Sequence, residues 1–393
     1  MERIALTPRA NWQQIVEKRG LIWHTIDSHT IDSQTIDSHS VAGQAYWNES
    51  ACYRFTGAEV DTIEAASAEL YRLCMEAGQH VIDKDLFGRF GIPDYIAPLI
   101  RRAWDEEPPA LNHGRFDLGY DGVHPPKMFE YNCDTPTAMF EAAVIQWEWK
   151  EAVFPRADQF NSLHDKLLGK WKDIASYLKS QSLHFTHVND SAGEDTLTVA
   201  YLRDLAAQAG LKSTAIFTKD IGWNAGSRRF VDLDNRPIDV LFHLYPWEWL
   251  TKETFGPHIV ESYDAMDWIE PVWKMMLSNK AILPVLWELF PGHPNLLPCF
   301  YDRPGATYVK KPFLGREGAN ISVEKDGRTL AETAGTYGGE GYVYQELFEL
   351  PDYGGNRPVI GSWIVDGEPA GMGIREDGLI TGNTARFVPH VFE

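Results

Sequence analysis

Two patterns of apolar residues follow one another along the chain, and together they limit the possible fold classes. Apolar runs at 183–188 and 213–217 flank a helical pattern at 194–209, which predicts a strand–helix–strand unit. Such a unit places its two strands side by side in a parallel sheet. From Tyr308 onward, short strand-like runs alternate with glycine-containing turns, which is typical of antiparallel strands. The sequence therefore predicts an α/β (or α+β) protein with a small parallel βαβ subdomain and an antiparallel C-terminal part.

The charge balance argues against a nucleic-acid partner. The chain has 393 residues, with 36 Lys and Arg against 56 Asp and Glu, which gives a net charge of −20. A surface of this sign repels phosphate backbones and attracts cations, polyamines among them. Many acidic enzymes carry such a charge only for solubility, so the sequence leaves both interpretations open.

Cysteine usage and hydropathy predict a cytoplasmic protein. The cysteines lie far apart and form no CxxC pair, which is typical of reduced thiols rather than of a disulfide framework or a zinc site. No segment approaches the roughly 18 uncharged apolar residues that a membrane-spanning helix requires, so we expect no membrane partner. These cysteines are Cys52, Cys74, Cys133 and Cys299.

Residues 25–40 contain the unit TIDS three times at a period of five residues. This period matches neither a helix face nor the repeat of a solenoid. We interpret residues 1–46, which include the repeat, as an N-terminal extension, and we expect the repeat to be neutral for function.

Two strand-like runs near residues 115 and 130 carry a possible metal site. Side chains alternate between the two faces of a strand, so Arg115 and Asp117 share one face, as do Glu130 and Asn132. If the strands pair, two carboxylates, an amide and a guanidinium meet on one surface. Carboxylate and amide oxygens suit Mg²⁺, although a cross-strand ion pair on a solvated face explains the same spacing. After the second strand, Thr135 is predicted to be the N-cap of a helix over about 137–152.

Lysines and a glycine-flanked loop further along the chain could hold phosphate groups. Lys280 precedes a predicted helix, and Lys311 lies near the end of a strand-like run. Pointed inward, they would neutralise nucleotide phosphates; solvated lysines are the alternative. The loop at 315–320 contains Arg316 between Gly315 and Gly318, and it could fold over a phosphate or be a plain hairpin loop.

Five separated motifs, in the same order, resemble the glutathionylspermidine synthetase family. The resemblance is to its ATP-grasp synthetase portion, including the stand-alone bacterial members, and it covers about 47–393. The motifs are RFD at 115–117, EYNCDTPTA at 130–138, IEPVWK…SNKAILPVLWELFPGHPNLL at 269–297, VKKPFLGREGANI at 309–321 and GIRED at 373–377. The resemblance implies a permuted, glutathione-synthetase-like ATP-grasp fold, with a pre-ATP-grasp-like βαβ subdomain at 180–265 and a C-terminal ATP-grasp part at 266–393.

The resemblance also implies an activity and a set of nucleotide- and metal-binding residues. The reaction would join a carboxylate to an amine through an acyl phosphate, with ATP as co-substrate and two Mg²⁺ ions as cofactors, releasing ADP and phosphate. The metal ligands would be Asp117, Glu130 and Asn132. Arg115 would lie at the reacting phosphoryl group and Arg316 on a mobile loop that closes over the site. The remaining ATP-binding residues would be Lys280, Lys311, Gln345, Glu346, Leu347, Phe348 and Arg375.

For the substrates, the resemblance implies a glutathione-like peptide or small acid and a spermidine-like polyamine. Thr135 and Thr137 match positions near the thiol-peptide substrate, where the bifunctional relatives have serines. Glu194 and Asp195 match an acidic pair that recognises the peptide, although glutamate is usual at the second position. Nothing before residue 47 could supply the amidase domain of the bifunctional members. Another acid and amine pair, or a non-catalytic nucleotide-binding paralogue, stay as alternatives.

Overall fold

The computed structural model describes residues 1–24, 45–189, 193–382 and 385–393. The predicted TIDS repeat lies outside the described residues, and so its predicted neutrality stays a prediction. Among the described residues, no helix combines the length and the apolar composition that are needed to cross a membrane.

Strands supply most of the framework around the cavity described below. In chain order, they are β1 (Glu2–Ala5), β2 (Ala51–Phe55), β3 (Gly114–Gly119), β4 (Lys127–Asn132), β5 (Ser182–His187), β6 (Lys212–Phe217), β7 (Gly222–Asn224), β8 (Arg229–Val231), β9 (Val240–Leu244) and β10 (Asp267–Ile269). The later strands are β11 (Cys299–Phe300), β12 (Tyr308–Pro312), β13 (Ser322–Lys325), β14 (Arg328–Glu332), β15 (Tyr342–Gln345), β16 (Arg357–Val365), β17 (Glu368–Asp377), β18 (Arg386–Val388) and β19 (His390–Phe392).

Helices cover the faces of the sheets. They are α1 (Trp12–Lys18), α2 (Gly57–Asp83), α3 (Ala97–Glu106), α4 (Gln146–Val153), α5 (Leu163–Ile174), α6 (Glu194–Gln208), α7 (Trp247–Leu250), α8 (Gly256–Ser262), α9 (Lys274–Leu277) and α10 (Ile282–Leu289). The long helix α2 begins with a capping box, in which Thr56 and Glu59 satisfy each other's backbone N–H groups. It packs against β16, and the apolar core between them buries Leu70 and Ile364 completely.

The sheets confirm the predicted mixture of parallel and antiparallel strands. A parallel sheet has the strand order β10-β9-β5-β6, and α6 is the crossover between β5 and β6. Two five-stranded antiparallel sheets have the orders β18-β17-β16-β3-β4 and β11-β15-β12-β13-β14. The predicted strands near 115 and 130 pair as β3 and β4 in the first of these, with Arg115 opposite Asn132 and Asp117 opposite Glu130.

The prediction that Thr135 caps a helix is wrong. Helical structure begins only at Met139, because Ala138 adopts a left-handed backbone conformation with φ of 63°, which an α-helix cannot include. The helical segment then passes through a π-helical stretch, Glu141–Ile145, before α4. Thr135 therefore lies in an irregular turn, and its side chain is available for contacts outside its own backbone.

A buried carboxylate, Glu270, fixes the segment that leads into β3. Its side chain is fully buried and accepts hydrogen bonds from the backbone N–H groups of Leu111 and Asn112, both at 3.0 Å, and it pairs with Lys274 and His113. Burial alone would raise the pKa of Glu270, but the charges of Lys274 and His113 outweigh it and lower that pKa to about 2. The carboxylate therefore ties the start of β3 to α9.

The first strand is joined to the late strand β17 by another buried carboxylate. The Arg3 guanidinium donates two hydrogen bonds to Glu376, from Nε at 2.7 Å and from Nη2 at 2.8 Å. Glu376 is fully buried and also accepts a hydrogen bond from the Tyr53 hydroxyl at 2.9 Å. Because Glu376 follows Arg375 on β17, this contact holds the end of the strand that carries one of the predicted site residues.

Replacing Arg3 should destabilise the protein markedly. Arg3→Ala leaves the buried Glu376 carboxylate without its bidentate partner, and we expect the free energy of unfolding in urea to fall by about 2 kcal/mol. Arg54→Ala is the matched control, because Arg54 forms an exposed ion pair with Glu2, the neighbour of Arg3 on β1. This variant should leave the unfolding midpoint unchanged. An equal loss of unfolding free energy in the two variants would show that the buried Arg3–Glu376 pair stabilises the protein no more than a surface ion pair does.

Candidate active site

The residues predicted from the sequence to form the site line one cavity of about 520 Å³. It lies between strands β3 and β4 of one antiparallel sheet and strands β12 and β15 of the other, and the start of α6 and the segment after β9 also line it. The predicted residues that line it are Arg115, Asp117, Glu130, Asn132, Thr135, Thr137, Glu194, Asp195, Lys280, Lys311, Arg316, Gln345, Glu346, Leu347, Phe348 and Arg375.

The cavity face of β3 carries a carboxylate between two guanidinium groups. Arg115 donates from Nε to Asp117 Oδ1 at 2.7 Å, and Arg375 donates from Nη2 to Asp117 Oδ2 at 2.7 Å. Arg115 also donates to the backbone oxygen of Thr137 at 2.7 Å. The neighbouring strand has Gly361 opposite Asp117, where a Cβ would lie 2.8 Å from Arg115 Cδ, so this glycine leaves room for the arginine.

The cavity face of β4 is held by two lysines from other elements. Lys280 Nζ lies 2.8 Å from Glu130 Oε2 and donates to the backbone oxygen of Gly315 at 2.7 Å. Lys311 Nζ donates to Gln345 Oε1 at 2.6 Å. Burial alone would raise the pKa of Glu130, but the charges of Lys280 and Lys311 outweigh it and lower that pKa below its usual value. Burial lowers the pKa of Lys311 to about 8, although the charge of Glu130 opposes this change.

The chemistry of the donor groups fits Mg²⁺. In the described part of the chain, no three His, Cys, Asp or Glu side chains converge on one point. Asp117, Glu130 and Asn132 supply two carboxylates and one amide oxygen on one face of a strand pair, which suits an ion that usually binds one or two carboxylates together with phosphate oxygens and water. The cations that now pair with these carboxylates balance their charge.

One end of the cavity is suited to a flat heterocycle. Gln345 ends β15, and the segment 346–348 continues along the cavity wall. Gln345 Nε2 donates to the backbone oxygen of Met128 at 3.0 Å, which joins the two antiparallel sheets. The apolar side chains that line the cavity include Val309, Ile321, Val323, Leu347, Phe348, Leu350 and Val359.

The cavity also has an acidic region that the sequence analysis missed in part. Glu141 accepts a hydrogen bond from the Tyr46 hydroxyl at 2.8 Å and is almost completely buried. Burial and the nearby charge of Glu194 raise the pKa of Glu141 to about 7. Glu194 and Tyr46 line the cavity, whereas Glu141 lies directly behind Tyr46. A glutamate inside the apolar run MFEAAVI was a signal that could have identified this residue.

Arg316 binds a second acidic group that sequence reasoning did not find. Its Nη2 donates to Glu248 Oε1 at 2.6 Å, and its Nη1 donates to Thr135 Oγ1 at 2.9 Å. Asp134 lies beside this pair, and burial together with the charge of Glu248 raises the pKa of Asp134 to about 7. Glu248 lies in α7, far from Arg316 in the sequence, so no local pattern connects the two residues.

Comparisons with known proteins identify related sequences over nearly the whole chain. The model of a family described as glutathionylspermidine synthase preATP-grasp matches residues 3–393. A putative acid–amine ligase of Haemophilus influenzae is 41% identical over 364 residues, which cover 89% of this chain and 92% of that protein. The bifunctional glutathionylspermidine synthetase/amidase of Escherichia coli is 27% identical over 359 residues, covering 83% of this chain and 56% of that protein.

Two further comparisons agree with this similarity. Trypanothione synthetase of Crithidia fasciculata is 29% identical over 82% of this chain and 54% of that protein. The chain thus spans little more than half the length of the trypanothione synthetase and of the E. coli enzyme. Among solved structures, a glutathione synthetase-like effector from Globodera pallida superposes with a TM-score of 0.55 at 10% identity, covering 87% of this chain and 89% of that one. This likeness confirms the predicted glutathione-synthetase-like fold.

The lowered pKa of Lys311 predicts a pH dependence of nucleotide binding. Phosphates bind the protonated amine, so ATP affinity should be full below pH 8 and should fall as the pH rises through about 8, where free Lys311 loses its proton. Calorimetric titration with a non-hydrolysable ATP analogue between pH 6.5 and 9.5 measures this. Lys311→Arg is the control, because arginine stays charged, and its affinity should hardly change across the range. An equal decline in both proteins would assign the effect to another group.

Proposed function

This chain belongs to the glutathionylspermidine synthase family, and we propose that it is an ATP-dependent acid–amine ligase that releases ADP and phosphate. The observation that carries the proposal is the convergence of Arg115, Lys280, Lys311 and Arg375 on one cavity beside two carboxylates and an apolar slot. This combination suits a nucleotide whose base occupies the slot and whose phosphates meet the cations. The substrate acid would bind at the same phosphate end, beside Thr135.

The reaction requires positioning and charge screening rather than a covalent nucleophile. A carboxylate is a poor electrophile because its leaving group would be oxide. Transfer of the γ-phosphoryl group to a carboxylate oxygen forms an acyl phosphate and releases ADP. The amine then attacks the acyl carbon, the C–O bond to phosphate breaks, and the nitrogen loses a proton as the amide forms.

The residues of the cavity account for each requirement of this reaction. Lys280 and Lys311 would bind the phosphates, and Arg115 would stabilise the charge on the phosphoryl group in transfer. Mg²⁺ bound by Asp117, Glu130 and Asn132 would screen the phosphate charge. Each of these cations pairs with a carboxylate or another oxygen of the protein, so contacts within the protein itself orient the charged groups.

We propose a di- or polyamine such as spermidine as the amine substrate and a glutathione-like peptide or small acid as its partner. Glu141 forms no ion pair with any residue that the structure describes, and it lies near Glu194; because the pKa of Glu141 is raised to about 7, a cationic ligand nearby would favour its ionised form. A buried carboxylate of this kind favours a cationic partner. The net charge of −20 would steer such a substrate to the enzyme.

The residues matched to the acid substrate differ in part from those of the bifunctional relatives. Threonines at 135 and 137 and aspartate at 195 replace the serines and the glutamate expected from the resemblance, and all three residues line the cavity. These differences favour, as a second candidate, a ligase for another acid or amino acid pair. A non-catalytic nucleotide-binding paralogue is distinguished from both by its failure to release ADP when an acid and an amine are added together.

Loss of one predicted metal ligand should abolish turnover. Glu130→Gln removes a charge that faces Lys280 and would hold Mg²⁺, and we expect acid- and amine-dependent ADP release to fall by at least about a hundredfold. Glu368→Gln, an exposed change in the same sheet, is the control and should keep full activity. If Glu130→Gln retains activity within about tenfold of the native enzyme over a range of Mg²⁺ concentrations, the metal assignment is wrong.

The acidic region should determine which amine is used. Spermidine should be preferred over glycine and ammonia. Its KM should rise several-fold between low and high salt, because salt screens the attraction between exposed charges that lie more than about 10 Å apart. Glu141→Gln should raise the KM for spermidine with a smaller effect on kcat. Glu261→Gln, a remote surface change on α8, is the control. Preference for an amino acid, without salt dependence, would refute the polyamine assignment and leave the ligase assignment standing.

A further inference from the structure

The side chain of Arg316 is held by a residue from a different element. It belongs to the loop after β12, whereas its partner Glu248 belongs to α7, which follows the parallel strand β9. Its guanidinium carbon also lies 5.6 Å from the centre of the Trp249 ring. The side chain therefore lies in a notch formed by Glu248, Trp249, Asp134 and Thr135, rather than extending freely toward the phosphate end.

The backbone around Arg316 is held on both sides of this residue. The oxygen of Gly315 accepts a hydrogen bond from Lys280 Nζ at 2.7 Å, and the oxygen of Gly318 accepts one from the Thr333 hydroxyl at 2.6 Å. The side chain of Arg316, by contrast, has several rotatable bonds and lines the large cavity as well as the notch. Movement of the guanidinium between these places therefore does not require the loop backbone to move.

The docked position leaves some hydrogen-bonding capacity unused. Arg316 Nε and Asp134 Oδ1 are both buried, and neither makes a hydrogen bond with a residue that the structure describes. A guanidinium has five N–H donors, and a triphosphate offers more acceptor oxygens than the single Glu248 oxygen and the Thr135 hydroxyl do. A phosphate chain in the cavity can thus compete with Glu248 for this cation.

We propose that Glu248 is a positioning residue that holds Arg316 in a resting position, from which the phosphates of ATP withdraw it. The proposal rests on the proposed function, because it requires ATP in the cavity. Binding of ATP then includes the cost of breaking the Arg316–Glu248 pair, and a protein without that pair binds ATP more tightly.

The accessibility of Arg316 and the affinity for ATP test this proposal in the full chain. Phenylglyoxal modifies accessible guanidinium groups, and peptide mass spectrometry measures its rate at Arg316. In Glu248→Gln, which replaces a charged partner by a neutral one of the same size, we expect the rate at Arg316 to rise about fivefold. The dissociation constant for a non-hydrolysable ATP analogue should fall by a similar factor, and kcat should change less than either quantity. Glu261→Gln should match the native protein in all three.

Two results would overturn the proposal: an unchanged rate of modification at Arg316 in Glu248→Gln, or weaker ATP binding by that variant. The second result would mean that Glu248 holds Arg316 in its productive place. Should Glu248→Gln fail to fold, Glu248→Asp is the second variant, because it keeps the charge but shortens the side chain. We then expect a smaller increase in the rate of modification at Arg316. Both measurements need only nucleotide binding, so a protein that binds ATP but forms no amide would refute the proposed ligase activity and still decide the role of Glu248.

Discussion

The geometry of the cavity depends on one fully buried carboxylate, that of Glu270. It accepts hydrogen bonds from two backbone N–H groups of the segment before β3, and it forms an ion pair with Lys274 at the start of α9. At the end of α9, the Ser278 hydroxyl accepts hydrogen bonds from the backbone N–H groups of Cys133 and Asp134, just beyond β4. Two residues later, Lys280 pairs with Glu130. The positions of β3, of the turn after β4 and of the cavity lysine Lys280 therefore follow from a single buried charge and its partners.

Charges in the cavity are arranged so that each cation has a protein partner that an anionic substrate can replace. Asp117 lies between two guanidinium groups, Glu130 beside an ammonium group, and Glu248 beside Arg316. Buried charges without such partners would be costly, so the pairs stabilise the folded protein around the cavity. Under the proposed function, the same pairs would set the selectivity of the cavity, because a ligand must offer interactions at least as good as those it displaces.

Local patterns predicted the parts of the site that depend on neighbouring residues. Strand alternation placed Arg115 with Asp117 and Glu130 with Asn132, and the pairing of β3 with β4 brings the two sets together. Contacts between distant segments left no such signal: the partner of Arg316 comes from α7, and Glu141 joins the cavity through Tyr46. The N-cap predicted at Thr135 failed for a local reason that sequence could not reveal, the left-handed backbone of Ala138. Net charge indicated the sign of the surface but not the position of the acidic region.

The central position of β16 has a consequence for how the protein is made. Asp117 on β3 lies opposite Gly361 on β16, and Arg375 reaches Asp117 from β17, so the strands that complete the site are among the last to leave the ribosome. Until then, the edge of β3 that pairs with β16 in the folded protein has no partner strand. Contacts between such distant segments are slow to form. A chain whose synthesis stops before β16 would carry Asp117 and Glu130 but would lack Arg375 and the strand that pairs with β3. Such a chain would be a substrate for chaperones or proteases rather than an enzyme of reduced activity.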